Sequence, residues 1–132
     1  MSSNTEDCIF CNKINCRVIS STKHFFIIRD TAYPVTKHHT LIITNRHISS
    51  YFDLDKNEIA ELDKVIKQQK KELKNLDSSI SGFNIGVNIG EDAGQSIMHC
   101  HIHLIPRRKG DVKDPRGGVR GVIPEKQKYK RK

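Results

Sequence analysis

The sequence predicts an α+β fold, an antiparallel sheet with one long helix on one face. Three observations predict it. Several short stretches alternate apolar and polar residues, the period of a half-buried strand. One segment after residue 55 repeats apolar residues every three or four positions, the period of an amphipathic helix. A glycine-rich turn joins the last two strand-like stretches, which makes them an antiparallel pair. The chain has 132 residues, enough for one domain with a real core. No internal repeat or low-complexity linker divides it. Residues 1–125 read as the domain and 126–132 as a basic tail.

The elements follow in order. Residues 18–22 and 24–30 form a strand pair, with Phe25 and Ile27 on one face and Phe26 and Ile28 on the other. Residues 39–45 form a third strand. Asp55, with Glu58 three positions on, is an N-terminal capping pair. The helix that follows carries Ile59, Leu62, Val65, Ile66, Leu73 and Leu76 as one apolar stripe, with Lys, Glu and Gln opposite. Asp77-Ser78-Ser79 ends it. Residues 83–89 alternate Phe83, Ile85, Val87 and Ile89 with Asn84, Gly86 and Asn88, and residues 97–105 form the last strand.

That last stretch reads Ile97-Met98-His99-Cys100-His101-Ile102-His103-Leu104-Ile105. In a strand, residues two apart share a face, so three of the seven histidines line one side. Met98, Cys100, Ile102 and Leu104 then point into a core. Packing does not require a row of imidazoles, and groups that titrate near neutrality and are held together point to chemistry. Three readings remain open: incidental histidines on a half-exposed strand, a metal site, or nucleophilic catalysis on an electrophile such as a phosphoryl group. One zinc ion does not easily take all three imidazoles, because the outer pair are about 13 Å apart along the backbone.

Just upstream, Gly90 to Gly94 turn the chain and Gln95-Ser96 lead into the histidines. Turn N–H groups can form an anion-binding nest, and Asn88, Ser96 and a glycine-rich turn suit phosphate oxygens. An ordinary hairpin loop uses the same residue types. Cys8-x-x-Cys11 is a second signal. Two thiolates at this spacing can grip zinc, but they are half a site. The alternative is that they are small core residues. Cys16 and Cys100 read as core. His38 and His39 are adjacent and face opposite ways, which makes them a poor shared site.

The motif His99-x-His101-x-His103-Leu104-Ile105, preceded by Gly94-Gln95-Ser96 and Asn88, resembles the signature of the histidine triad (HIT) superfamily of nucleotide hydrolases and transferases. Cys8-Ile9-Phe10-Cys11, Asp30 and the stretch His39 to His47 are similar to other parts of that family. Pro106-Arg107-Arg108-Lys109-Gly110-Asp111 resembles the dinucleoside-polyphosphate-hydrolase branch more than the phosphoramidase branch. The resemblance implies a five-stranded sheet continued across a homodimer. It also implies a structural Zn2+ held by Cys8, Cys11, His47 and His99.

It further implies that His101 attacks the α-phosphorus and forms a nucleotidyl-imidazole that water hydrolyses. His103 would bind phosphate or bridging oxygens. Ser96, Gln95 and Gly94 would stabilise developing charge, Asn88 would orient phosphate or ribose, and Asp30 would accept from the ribose hydroxyls. Ile9, Phe10 and Ile28 would sandwich the base or simply be core. The implied substrate is a purine nucleotide or dinucleoside polyphosphate. A nucleoside phosphoramidate, or a nucleotide-binding scaffold without turnover, are the alternatives.

Composition sets the outer limits. No apolar run approaches the roughly 20 residues of a membrane span, and the polar N-terminus has no signal-peptide pattern. Four cysteines in such a chain imply a reducing, cytoplasmic setting. The net charge of +8 favours an anionic ligand. Nucleic acid is not favoured, because the basic tail lacks interleaved aromatic residues. Residues 114–124 carry apolar anchors, and Arg116 and Arg120 would reach substrate phosphates near a dimer partner.

Overall fold

The computed structural model describes residues 5–129. Strands β1 (Val18–Ser21), β2 (Phe25–Arg29), β3 (Thr40–Thr44), β4 (Ile80–Gly86) and β5 (His101–Arg108) form one antiparallel sheet in the order β1-β2-β3-β5-β4. Helix α1 (Lys56–Leu76) connects β3 to β4. The α+β expectation holds, with one helix and five strands. No helix among the described residues is long and apolar enough to cross a membrane.

Alternation sorts the core into two sides. Phe25, Ile27, Ile42, Cys100 and Ile102 pack with Leu62 and Val65 of the helix. Phe26, Leu41 and Ile43 face the other way and pack with Cys8 and Phe10 of the N-terminal segment. The site forms on this second side. The helix starts as the capping pair predicts: Asp55 accepts from the Glu58 N–H, and the Glu58 carboxylate accepts from the Asp55 N–H at 3.0 Å. Glu58 is fully buried and is also paired with Arg46 at 2.7 Å. The stripe is narrower than predicted. Leu62, Val65 and Leu73 are buried, whereas Ile59 and Leu76 are 39% and 61% exposed. Glu58 and Gln69 fill buried positions in their place, each hydrogen-bonded to an arginine.

Two strands depart most from the sequence reading. β4 spans Ile80–Gly86 rather than 83–89, and β5 begins at His101 rather than 97. The 97–100 stretch bends instead, tied down by the Cys100 N–H donating to the Ile48 carbonyl at 2.6 Å. Met98 is consequently half-buried rather than a core residue. Cys100, Ile102 and Leu104 do enter the core. Residues 114–129 fold back on themselves. Arg120 donates to the Lys126 and Gln127 carbonyls and lies over the Tyr129 ring, while Arg116 pairs with Asp114. Both arginines are thus engaged within their own segment. Residues 130–132 of the tail lie outside the described residues.

Candidate active site and metal centre

Pairing in the sheet fixes the histidine row. β3 sets Ile43 opposite His101 and Leu41 opposite His103, and β4 sets Gly86 opposite His103. Phe10 packs edge-on against both His99 and His101, at centroid distances of 5.9 and 5.1 Å. The His101 and His103 rings are 5.2 Å apart. The three imidazoles share a side of the chain but do different things.

The hydrogen-bond partners assign the protons. His101 Nδ1 lies 2.7 Å from the His99 carbonyl, and a carbonyl can only accept. Nδ1 therefore carries hydrogen, and Nε2 of the neutral ring keeps its lone pair. Burial lowers the pKa of His101, against the opposing pull of the His99 carbonyl. His99 Nε2 likewise donates to the Thr44 carbonyl at 2.7 Å, which turns the Nδ1 lone pair toward the N-terminal segment. Burial, then the neighbouring His101 and His39, lower His103 to about 4.

A pocket of about 610 Å³ is lined by Ile9, Phe10, Ile28, Asp30, Ser96 and Ile97, among others, and Phe10 links it to the row by packing on His101. Its lining joins apolar side chains with Asp30, Arg17 and Arg29. Asp30 Oδ1 accepts from the Tyr33 N–H at 2.9 Å. Ser96 is exposed at the pocket's edge, and Asn88 is half-buried with no side-chain hydrogen bond among the described residues. Gly90 and Gly94 both have positive φ, 89° and 95°, which makes this turn awkward for other residues. Gln95 is buried and its amide is fully used. It accepts from the Gly90 N–H and donates to the Ser49 and Ile97 carbonyls. Its side chain holds the loop, the N–H groups of Ala93, Gly94 and Gln95 donate to carbonyls inside the turn, and Ser96 is exposed.

Cys8, Cys11, His47 and His99 converge from three separate stretches of chain. Their donor atoms all lie within 4.8 Å of one another. Cys8 Sγ and Cys11 Sγ are 3.3 and 3.5 Å from His99 Nδ1, and His47 Nδ1 is 3.1 Å from Cys11 Sγ and 3.2 Å from His99 Nδ1. A tetrahedral shell with zinc–ligand bonds of about 2.0–2.3 Å has edges of about 3.3–3.8 Å. The donor set and spacing fit zinc. The carbonyl on His99 Nε2 supplies the outer contact that holds a ligating imidazole in place. Burial, then the Cys8 thiol, push the Cys11 thiol up to about 11, so a thiolate pair here calls for a cation beside it.

Comparison with known proteins agrees with this geometry. The HIT domain family matches residues 12–110. The chain belongs to the HIT family. An uncharacterized HIT-like protein of Methanocaldococcus jannaschii is 34% identical over 108 residues, covering 79% of this chain and 81% of that protein. The asymmetrical bis(5'-nucleosyl)-tetraphosphatase of Schizosaccharomyces pombe is 33% identical over 81 residues, covering 61% of this chain and 44% of that protein. A zinc-bound histidine triad family protein from Mycobacterium smegmatis superposes with a TM-score of 0.73 at 28% identity, covering 82% of this chain and 80% of that chain.

Within this HIT domain the structure brings His101 and His103 together, sets Asp30 and Ser96 in the pocket that Phe10 shares with them, and gathers the four metal-ligand candidates around His99. Sequence reasoning passed over His39. It is 2% exposed, and its Nε2 lies 2.9 Å from His103 Nδ1. His38 and His39 do not share a site, but His39 alone faces the triad. The available signal was parity: His39 precedes Leu41 and Ile43 by two and four positions and so shares their face.

Proposed function

We propose that the protein hydrolyses a nucleotide at its α-phosphate through a covalent nucleotidyl-His101 intermediate, with a dinucleoside polyphosphate as substrate. The observation that carries this reading is a buried imidazole with Nδ1 committed to the His99 carbonyl, which leaves Nε2 as a nucleophile, while Phe10 packed on that ring lines a pocket that also carries Asp30. In the first step His101 Nε2 bonds to the α-phosphorus and the bond from that phosphorus to the bridging oxygen breaks. The remaining nucleotide leaves with the oxygen. In the second, water attacks the same phosphorus, the N–P bond breaks and a nucleoside monophosphate departs. Splitting one displacement into two easier ones is the gain of covalent catalysis.

The surrounding residues take supporting roles. Phe10, Ile9 and Ile28 hold the base, and Asp30 accepts from the ribose hydroxyls. His103, Ser96 and Asn88 hold phosphate oxygens as charge develops, with the Gly90–Gly94 turn and Gln95 bracing the loop that carries Ser96. Cys8, Cys11, His47 and His99 hold one structural zinc, which fixes the bend feeding β5 and supplies no step of the reaction. The polyphosphate reading draws support from the Pro106-Arg107 extension and from the named activity of the fission-yeast relative.

A homodimer completes the reading. β4 is an edge strand and its Ile85 is 49% exposed, so an unpaired strand edge is open to a second copy. The deciding experiment is a turnover panel on diadenosine polyphosphates, a nucleoside phosphoramidate and a sugar nucleotide, with rapid quench to trap nucleotide on His101. Faster turnover of the phosphoramidate moves the substrate to that class. Turnover with no trapped protein-bound nucleotide at any time point rejects the covalent route.

A further inference from the structure

We infer that His39 is a positioning residue that fixes the proton of His103 on Nε2, through a relay that starts at a backbone amide. The consequence for turnover rests on the catalytic reading above, whereas the relay itself is a property of the protein without substrate.

The Val35 N–H donates to His39 Nδ1 at 3.0 Å. A nitrogen that accepts a hydrogen bond cannot also carry hydrogen, so the proton of His39 sits on Nε2. That nitrogen faces His103 Nδ1 at 2.9 Å. His39 must donate and His103 Nδ1 must accept. The proton of His103 is thereby left on Nε2. Two neighbouring imidazoles, one on β5 and one just ahead of β3, are set in series by a single peptide N–H.

One competing arrangement exists. Asp30 stands near His39 and could take a proton from Nδ1, reversing both rings. Its Oδ2 is 3.9 Å from that nitrogen, beyond hydrogen-bond reach, and its Oδ1 is occupied by the Tyr33 N–H. The amide wins on distance. The other titratable neighbour of His103 is His101, whose ring stands 5.2 Å away and is itself fixed by the His99 carbonyl. A second proton on His103 Nδ1 would confront the N–H of His39, which agrees with the lowered pKa of His103.

The chemistry that follows is directional. With Nε2–H outward, His103 offers a donor to a phosphate or bridging oxygen. With the proton on Nδ1 it would offer a lone pair to an anion, which repels. His39 thus acts on the reaction through His103 and need not touch substrate.

Long-range ¹⁵N–¹H spectra of ring-labelled protein at neutral pH read each tautomer, with His103 assigned by comparison with His103→Asn. Wild type should show His103 and His39 both protonated at Nε2. His39→Leu removes the donor, so His103 should become a tautomer mixture and kcat should fall by roughly 10²-fold with a smaller change in KM. His39→Gln places an amide N–H near the original Nε2 and should restore both the tautomer and most of kcat. Wild-type His103 protonated at Nδ1 overturns the inference. So does an unchanged His103 tautomer in His39→Leu. Should that variant fail to fold, the wild-type and His39→Gln spectra still decide. Correct tautomers in a wild type that turns over no nucleotide would remove the catalytic reading and leave the relay standing.

Discussion

At the residue scale, each key side chain is defined by which of its atoms is already spoken for. His101 has Nδ1 held by the His99 carbonyl, and under the proposed mechanism replacing it removes the nucleophile. His101→Ala should lose several powers of ten in kcat while a nucleoside monophosphate still binds by calorimetry, because the pocket walls remain. A variant that keeps more than a few per cent of the wild-type rate rules out the nucleophile. Gln95 is the opposite case, a polar residue that is buried and fully used by Gly90, Ser49 and Ile97. Gln95→Ala removes a buried side chain that makes three hydrogen bonds, to Gly90, Ser49 and Ile97, and should cost about 1–3 kcal/mol, measured by urea unfolding. It should also weaken turnover by loosening the loop around Ser96. Unaltered stability would mean that water replaces the amide.

At the scale of elements, the helix ends explain how the site is held from behind. Arg46 directly precedes the metal-ligand candidate His47, and its guanidinium pairs with Glu58 at the first turn of α1. The start of the helix and the metal cluster therefore share one anchor. At the other end, Asp77 follows the last turn. Its carboxylate accepts from the Ser79 hydroxyl and N–H and from Arg108 of β5. These bonds hold it down to about 2. The sign follows directly. A folded value below the unfolded value of about 3.9 means that the carboxylate stabilises the fold above the unfolded pKa and stops doing so as pH falls through the folded one. Wild type should lose stability between about pH 4 and pH 2 more steeply than Asp77→Asn, and the variant should melt lower at neutral pH. Parallel acid melts followed by circular dichroism would expose the opposite trend.

At the scale of the whole molecule, the N-terminal segment packs Phe10 into the core and brings Cys8 and Cys11 to His47 and His99. It forms one wall of the pocket. Binding of a structural metal is therefore coupled to the order of that wall. Protein purified without chelator should carry about one zinc per chain. Chelation or Cys8→Ser should lower the melting temperature first, with activity following. Loss of activity at an unchanged melting temperature would place the metal in the reaction instead.

The sequence by itself determined the periodicities, and through them the antiparallel sheet, the single helix with its Asp55–Glu58 cap, and the two-sided sorting of Phe25 to Ile28. Those features depend on neighbours within a few positions, which the chain carries locally. It also marked His99, His101 and His103 by spacing, and Cys8 with Cys11 as half of a metal site. The resemblance to HIT proteins supplied His47 and His99 as the other half. Only the tertiary structure decided which nitrogen of His99 and of His103 is free, because their partners are remote: Thr44 for His99, Val35 by way of His39 for His103. It also decided that β5 starts at His101, since the bend before it is held by Ile48 rather than by the strand's own pattern. Gln95 turned inward for the same reason. The fate of a polar side chain is settled by which donors and acceptors the fold brings within about 3 Å, and spacing along the chain does not encode that distance.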